Sequence, residues 1–219
     1  GFCSASVQGL RKSPNGRRTP FALWSFGLHV SAEYDSKPLE AEQALAGLSH
    51  DRMLHVEDDD VMGFAARYDV RFEAMRMLGA WEQLHPWMEC LIPGRAAAEL
   101  LPLVLDRLPL TLGDGHRVTL VGKGSGVASP VRPTDASALA FAILPMGVPE
   151  ALRAPTLGAL EAVERLLLDT GGKRYLSGWL FGRDEAAWRR HFGPDYDAWN
   201  QSKLRYDPQR VLRSELFPT

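Results

Sequence analysis

The sequence predicts an α+β fold, a mainly antiparallel sheet with helices packed on one side. Three observations carry that expectation. Short apolar or alternating runs recur at 21–35, 86–93, 116–124 and 138–145. Stretches with a helical apolar stripe stand between or after them, most clearly at 156–170. Several helix connections are short, which suits strands that alternate in direction with helices stacked over one face.

In chain order, residues 1–20 are polar and rich in Gly, Ser and Arg, with a turn at Pro14-Asn15-Gly16, and read as a loose entry to one domain over 21–219. FALWSFGLHVSAEYD (21–35) sets Ala22, Trp24, Phe26, Leu28 and Val30 at every second position, the pattern of a long strand with one buried side. Gly27, on the other face, permits a bulge or a close approach. Ser36-Lys37-Pro38 opens a helix predicted through Leu48, and RMLHVE (52–57) reads as a short strand before a helical stretch over 61–72. PWMECLIP (86–93) is a strand, and Pro93-Gly94 starts a helix to about residue 106. HRVTLVGKG (116–124) is a strand running into glycine-rich turns, and ALAFAILP (138–145) is a short buried strand. TLGALEAVERLLLDT (156–170) is a strongly amphipathic helix stopped by Gly171-Gly172. KRYLSGW (173–179) reads as a strand, followed by two short helices over 183–192 and 196–206; Gly193-Pro194 separates them and Pro208 ends the second.

Bulk properties narrow the function. The 219 residues can bury a substantial core without staples. A net charge of −2 argues against a nucleic-acid partner, which needs a basic field. No apolar run reaches the roughly 18 residues of a membrane span, so no membrane partner is expected. Cys3 and Cys90 lie far apart and form neither a metal spacing nor a disulfide framework, so a reducing, cytoplasmic setting is the default. The first 18 residues lack the apolar region of a signal peptide, and the chain has no initiator Met, so it reads as a processed or excised piece.

Candidate chemistry is sparse. VGKGSGV (121–127) has the wrong spacing for a dinucleotide fingerprint, and the ASPVRPTD after it cannot open a helix, so it reads as a plain loop. The six histidines are scattered, without a metal-ligand spacing. His85, held before Pro86, reads as a structural hydrogen-bonder. EDDD (57–60) lacks the Gly and distal Glu of a calcium loop; a solvated turn with a helix cap at Asp59 or Asp60 is the expectation. No Ser sits in a nucleophile elbow, and Cys90 alternates with Met88 and Ile92 as a small buried side chain. Hence no catalytic residue and no metal ligand is assigned to this chain. The six Trp remain, and flat ligands are held by such side chains through stacking.

Several spaced motifs in one order resemble the cytokinin dehydrogenases. His85-Pro86-Trp87-Met88-Glu89 followed by Ile92-Pro93 is similar to that family's H-P-W-L-N-x-x-V-P segment. Lys173-x-Tyr175-Leu176, then Trp188-Arg189-Arg190-His191-Phe192-Gly193, then Trp199-x3-Lys203-x2-Tyr206-Asp207-Pro208-x2-Val211-Leu212 resemble its C-terminal half in order and spacing. The resemblance spans roughly residues 20–217 and is loosest over 95–170. It implies the substrate-binding, or cap, domain of a flavoprotein of the vanillyl-alcohol-oxidase type. FAD would then be held mainly by an FAD-binding domain absent from this chain and supplied in cis or in trans, with the covalent His and the proton-accepting Asp of the family lying there. By the same resemblance Trp87 and Leu176 would line a pocket for a small flat amine or alcohol, with Tyr175 beside the flavin ring. Glu89 stands where the family has Asn, putting a carboxyl group at the pocket. Ser214 and Glu215 fall where the family's Ser-Pro-Gly-Gln loop lies near the flavin, with two residues and the Pro-Gly turn missing. Two other functions stay open on the residues alone, a small-ligand-binding relic without redox chemistry and a protein-interaction module of the same fold.

Overall fold

The computed structural model describes residues 2–12, 14–109, 112, 116–121, 131–135, 137–212 and 214–217, with the backbone alone for 2–11, 19–24 and 116–121. Six strands form one sheet: β1 (Phe2–Lys12), β2 (Arg18–Gly27), β3 (Met88–Pro93), β4 (His116–Val121), β5 (Ala138–Ile143) and β6 (Lys173–Arg174). Their order across the sheet is β2-β1-β4-β5-β3-β6, and every paired neighbour is antiparallel. The predicted α+β class with an antiparallel sheet is therefore the observed one.

The core follows from alternation. β3 and β5 pair Met88 with Ile143, Cys90 with Phe141 and Ile92 with Leu139. Met88, Cys90, Ile92, Phe141 and Ile143 are fully buried on one face. Two helices cover that face, α4 (Gly94–Arg107) and α5 (Arg153–Asp169). α4 contributes Ala97, Leu100 and Val104, and α5 contributes Leu160, Val163 and Leu167, each set at helical i, i+3/i+4 spacing. Burying one such side chain stabilises the fold by ~1.5–3 kcal/mol, so this layer holds the domain together. α5 stops where its glycines predict. Gly171 takes a φ of 86°, its N–H donates to Leu168 O and the Gly172 N–H to Leu167 O, closing a Schellman turn.

The N-terminal half departs from the sequence-based expectation in several places. The described residues among 1–20 are not a loose entry: β1 and β2 form a hairpin, paired from Phe2↔Gly27 to Lys12↔Arg18, with the predicted turn at Pro14-Asn15-Gly16 between them. Cys3, Ala5 and Val7 alternate with Ser4, Ser6 and Gln8, a short strand signal that the loose-entry expectation overlooked. The predicted strand over 21–35 ends at Gly27, the predicted helix over 36–48 shrinks to α1 (Ala41–Ala44), and 52–57 forms no strand. A strand needs a neighbour for its backbone groups, and among the described residues the pairing ends at Phe2↔Gly27. Leu28 and Val56 stand 62% and 65% exposed instead of lining a buried face. The helix predicted over 61–72 is two, α2 (Val61–Ala66) and α3 (Asp69–Met77). Asp60 caps α2, its carboxylate accepting from the Gly63 N–H at 2.7 Å, as the acidic run predicts. α3 docks through buried Met75, and the Val148 N–H donates to Leu84 O. The glycine-rich stretch over 121–127 lies, past Val121, outside the described residues.

At the other end of the sheet, α6 (Glu185–Phe192) and α7 (Tyr196–Tyr206) carry a second, aromatic cluster. Trp188, Phe192 and Tyr196 are its buried members, with Trp199 stacked on Phe192 at a centroid distance of 4.8 Å.

Candidate functional site

Along β3, residues that alternate with the core side chains turn to the opposite face of the sheet. Glu89 and Leu91 occupy it and are half-buried. Just before β3, Trp87 is half-buried too. Its indole N–H donates to Pro145 O at 2.9 Å, and His85 meets it edge-on at 6.0 Å between ring centroids. His85 in turn donates from Nε2 to Trp81 O at 3.1 Å, so it does serve as a structural hydrogen-bonder.

β6 pairs with β3 only at Cys90↔Arg174 and Leu91↔Lys173, so the predicted strand over 173–179 is cut to two residues. The chain nonetheless stays tied to β3. The Tyr175 N–H donates to Glu89 O at 3.0 Å and the Trp179 N–H to Trp87 O at 2.6 Å. Four peptide steps on one side thus span two on the other, and the excess bulges as a loop. Gly178 makes that bulge possible, because a Cβ there would lie 2.5 Å from Trp87 O. These bonds bring Trp87, Glu89, Tyr175 and Leu176 side by side. Tyr175 is 50% exposed, whereas Leu176 packs with Leu180 onto the Trp188 cluster.

Ser214 and Glu215 reach the far end of the same loop. The Ser214 hydroxyl accepts from the Leu216 N–H at 3.1 Å, and Glu215 O accepts from Arg183 Nη1 at 3.4 Å. Leu216 and Phe217 then pack on Trp188. Ser214 is half-buried and Glu215 exposed.

Behind the loop lies a polar group that the sequence reading passed over. Arg174, 5% exposed, sits on the core face and pairs with Glu164 of α5, Nη2 to Oε2, at 3.1 Å. Its Nη1 donates to Gly182 O at 2.8 Å and its Nη2 also bonds Phe181 O. The Arg174 N–H donates to His191 Nδ1 at 3.3 Å, while Lys173 Nζ bonds the His191 carbonyl. The neutral His191 ring therefore carries its proton on Nε2. Burial, then the neighbouring Lys173 and Arg174 cations, push its pKa down to about 4. Burial raises the Glu164 carboxyl, and Arg174 pulls it back. Burial likewise lowers Lys173 and pushes the fully buried Cys90 thiol up. No sequence signal flags this group. Its members lie 10 and 17 residues apart on different elements, and each alone reads as a surface side chain.

Among the described residues no group of three or more His, Cys, Asp or Glu is placed to hold a metal, and no helix is long and apolar enough to cross a membrane. The exposed Tyr175 ring fits a flat aromatic ring lying against it, and Glu215 and Arg183 are the exposed charged groups at the end of the loop.

Comparison with known proteins agrees with the resemblance read from the motifs. The family model "Cytokinin dehydrogenase 1, FAD and cytokinin binding" matches residues 26–215. Cytokinin dehydrogenase 1 of Oryza sativa subsp. japonica is 26% identical over 218 residues, covering 89% of this chain and 38% of that protein. Cytokinin dehydrogenase 3 of the same rice is 27% identical over 206 residues, covering 85% and 38%. Cytokinin dehydrogenase 4 of Arabidopsis thaliana is 25% identical over 166 residues, covering 73% and 31%. The chain thus spans well under half the length of the curated relatives it matches.

Proposed function

We propose that this chain, which belongs to the cytokinin dehydrogenase FAD- and cytokinin-binding family, is the substrate-side part of an FAD-dependent oxidoreductase acting on a small flat amine or alcohol. The observation that carries the proposal is the pair of backbone bonds from Tyr175 to Glu89 and from Trp179 to Trp87. They hold an aromatic face, a carboxyl group and an exposed Tyr together on one side of the sheet. FAD, when bound, supplies the acceptor for the hydride that leaves the substrate carbon. Its main hold lies in a second domain, fused or separate, and this chain faces the ring with Tyr175, Ser214 and Glu215.

The work of the chain's own residues is positioning. Hydride transfer needs the donor carbon held close and water kept out. Trp87, its N–H committed to Pro145 O, offers ring faces rather than a donor, and so favours a planar substrate. Glu89 accepts an N–H or O–H of the substrate and sets its orientation, and Leu176, packed on the Trp188 cluster, backs this wall. The exposed apolar side chains over 26–81, among them Phe26, Leu28, Val61 and Met62, support a covering partner, since single chains rarely leave such a run bare.

Trp87→Ala in the FAD-containing full-length protein tests this reading. KM should rise or kcat fall by about tenfold or more, the effect of losing ~1.4 kcal/mol of positioning contact, with the thermal midpoint nearly unchanged. A variant that unfolds instead makes Trp87 a core residue, and the pocket assignment fails.

A further inference from the structure

We infer that Arg174, held by Glu164, is a positioning residue for the substrate wall; the inference rests on the function proposed above. The loop over 175–182 leaves the sheet directly after Arg174, and its end returns to the guanidinium of the same residue. Nη1 takes Gly182 O at 2.8 Å and Nη2 takes Phe181 O, so one side chain closes the loop on itself. The Glu164 carboxylate, 3% exposed, fixes that guanidinium from α5 at 3.1 Å. The other anchors are backbone bonds to Glu89 O and Trp87 O, on the neighbouring segment at β3. Tyr175 is tied to β3 through its own N–H and Leu176 packs on the Trp188 cluster, so what Arg174 adds is the closure of the loop behind them. Their placement depends on a loop pinned at one edge by β3 and at its return by Arg174.

The energetics favour a role in shape over a role in stability. A buried ion pair adds little over apolar residues of the same volume, because desolvation offsets the attraction. What apolar residues cannot replace is donation to two backbone carbonyls at once, for which the planar, forked guanidinium is suited and an ammonium is not. The Phe181 and Gly182 carbonyls are the ones that hold the loop's curvature. Gly182 adopts a φ of 73°, and a Cβ there would lie 3.9 Å from Arg174 Nη2.

Removing one partner alone strands a buried charge and risks unfolding, so the test removes both. The variant Glu164→Met/Arg174→Met leaves no unpaired charge and keeps the Arg174 backbone N–H that binds His191. Hydrogen exchange is measured at the Tyr175 and Trp179 amides and across α5, with KM and kcat measured in the FAD-containing full-length protein. Loss of charge-assisted hydrogen bonds should speed exchange at the two loop amides by about tenfold or more, with α5 protected as in the wild type. KM should rise by a similar factor while kcat changes less. Arg174→Lys, which keeps the charge but not the fork, should show a smaller shift in the same direction. Unchanged loop exchange in the double variant overturns the inference. So does a loosened loop with wild-type KM and kcat, because the loop is then no part of the wall. A wild-type protein that turns over no amine or alcohol with FAD bound is a failure of the proposed function instead, and the exchange data tell the two apart.

Discussion

Acid should weaken this fold through His191, and the size of the effect can be worked out from its surroundings. His191 is 4% exposed and accepts the Arg174 N–H on Nδ1. Protonating Nδ1 breaks that bond and puts a third cation beside Lys173 and Arg174. Burial first, then those two charges, hold the group near pKa 4 rather than 6.5. The unfolded chain takes up the proton as pH falls through 6.5 and the folded chain does not. The associated stability is therefore complete above the unfolded value, declines between about 6.5 and 4, and is gone below the folded value. At ~1.4 kcal/mol per pH unit, allowing for solvent near half-buried Lys173, the loss is about 2–3 kcal/mol. His191→Asn keeps an acceptor for the Arg174 N–H but does not titrate. Urea unfolding followed by tryptophan fluorescence should show the wild type losing about 2–3 kcal/mol more than the variant between neutral pH and pH ~4. Other groups, Glu164 included, titrate in both proteins and cancel. Parallel stability curves would refute the reasoning.

Two further outcomes follow from the packing. Gly178→Ala drives a Cβ to within 2.5 Å of Trp87 O, so the loop must move off β3. The urea midpoint should fall by an amount equivalent to ~1–3 kcal/mol, the usual range for forcing atoms into a packed site, and the Trp179 amide should lose exchange protection. Cys90 is fully buried, with its thiol pushed up by burial. A thiol reagent should label it only at the rate of global unfolding, and rapid labelling in native buffer would show that the main core opens locally.

From β3 onward most elements were readable, the shortened strand β6 apart, because their patterns are plain. In α5 the apolar residues fall on one stripe and two glycines end it, and in β3 small and large apolar residues alternate with Glu89 and Leu91. The N-terminal half was not. Alternation at Leu28 and Val30 signals a strand only where a neighbouring strand pairs with it, and both side chains stand exposed here. Cys3, Ala5 and Val7 do alternate with Ser4, Ser6 and Gln8, but the run is short and its members small, so the hairpin read as a loose segment. Trp87, Glu89 and Tyr175 were named as candidates from the resemblance of spaced motifs, and the backbone bonds that join their segments were not foreseen. Those bonds depend on how far a bulged loop extends past a two-residue strand, which only Gly178 hints at. The Glu164–Arg174 pair was invisible because pairing across a turn leaves no periodic trace.

The account rests on this chain shaping a cavity over a flavin that other polypeptide holds. The direct test is FAD retention after gel filtration, by this chain alone and by the chain joined to an FAD-binding domain. The account predicts a colourless chain alone and a yellow joined protein with FAD near one equivalent. A chain that keeps stoichiometric FAD by itself would contradict it.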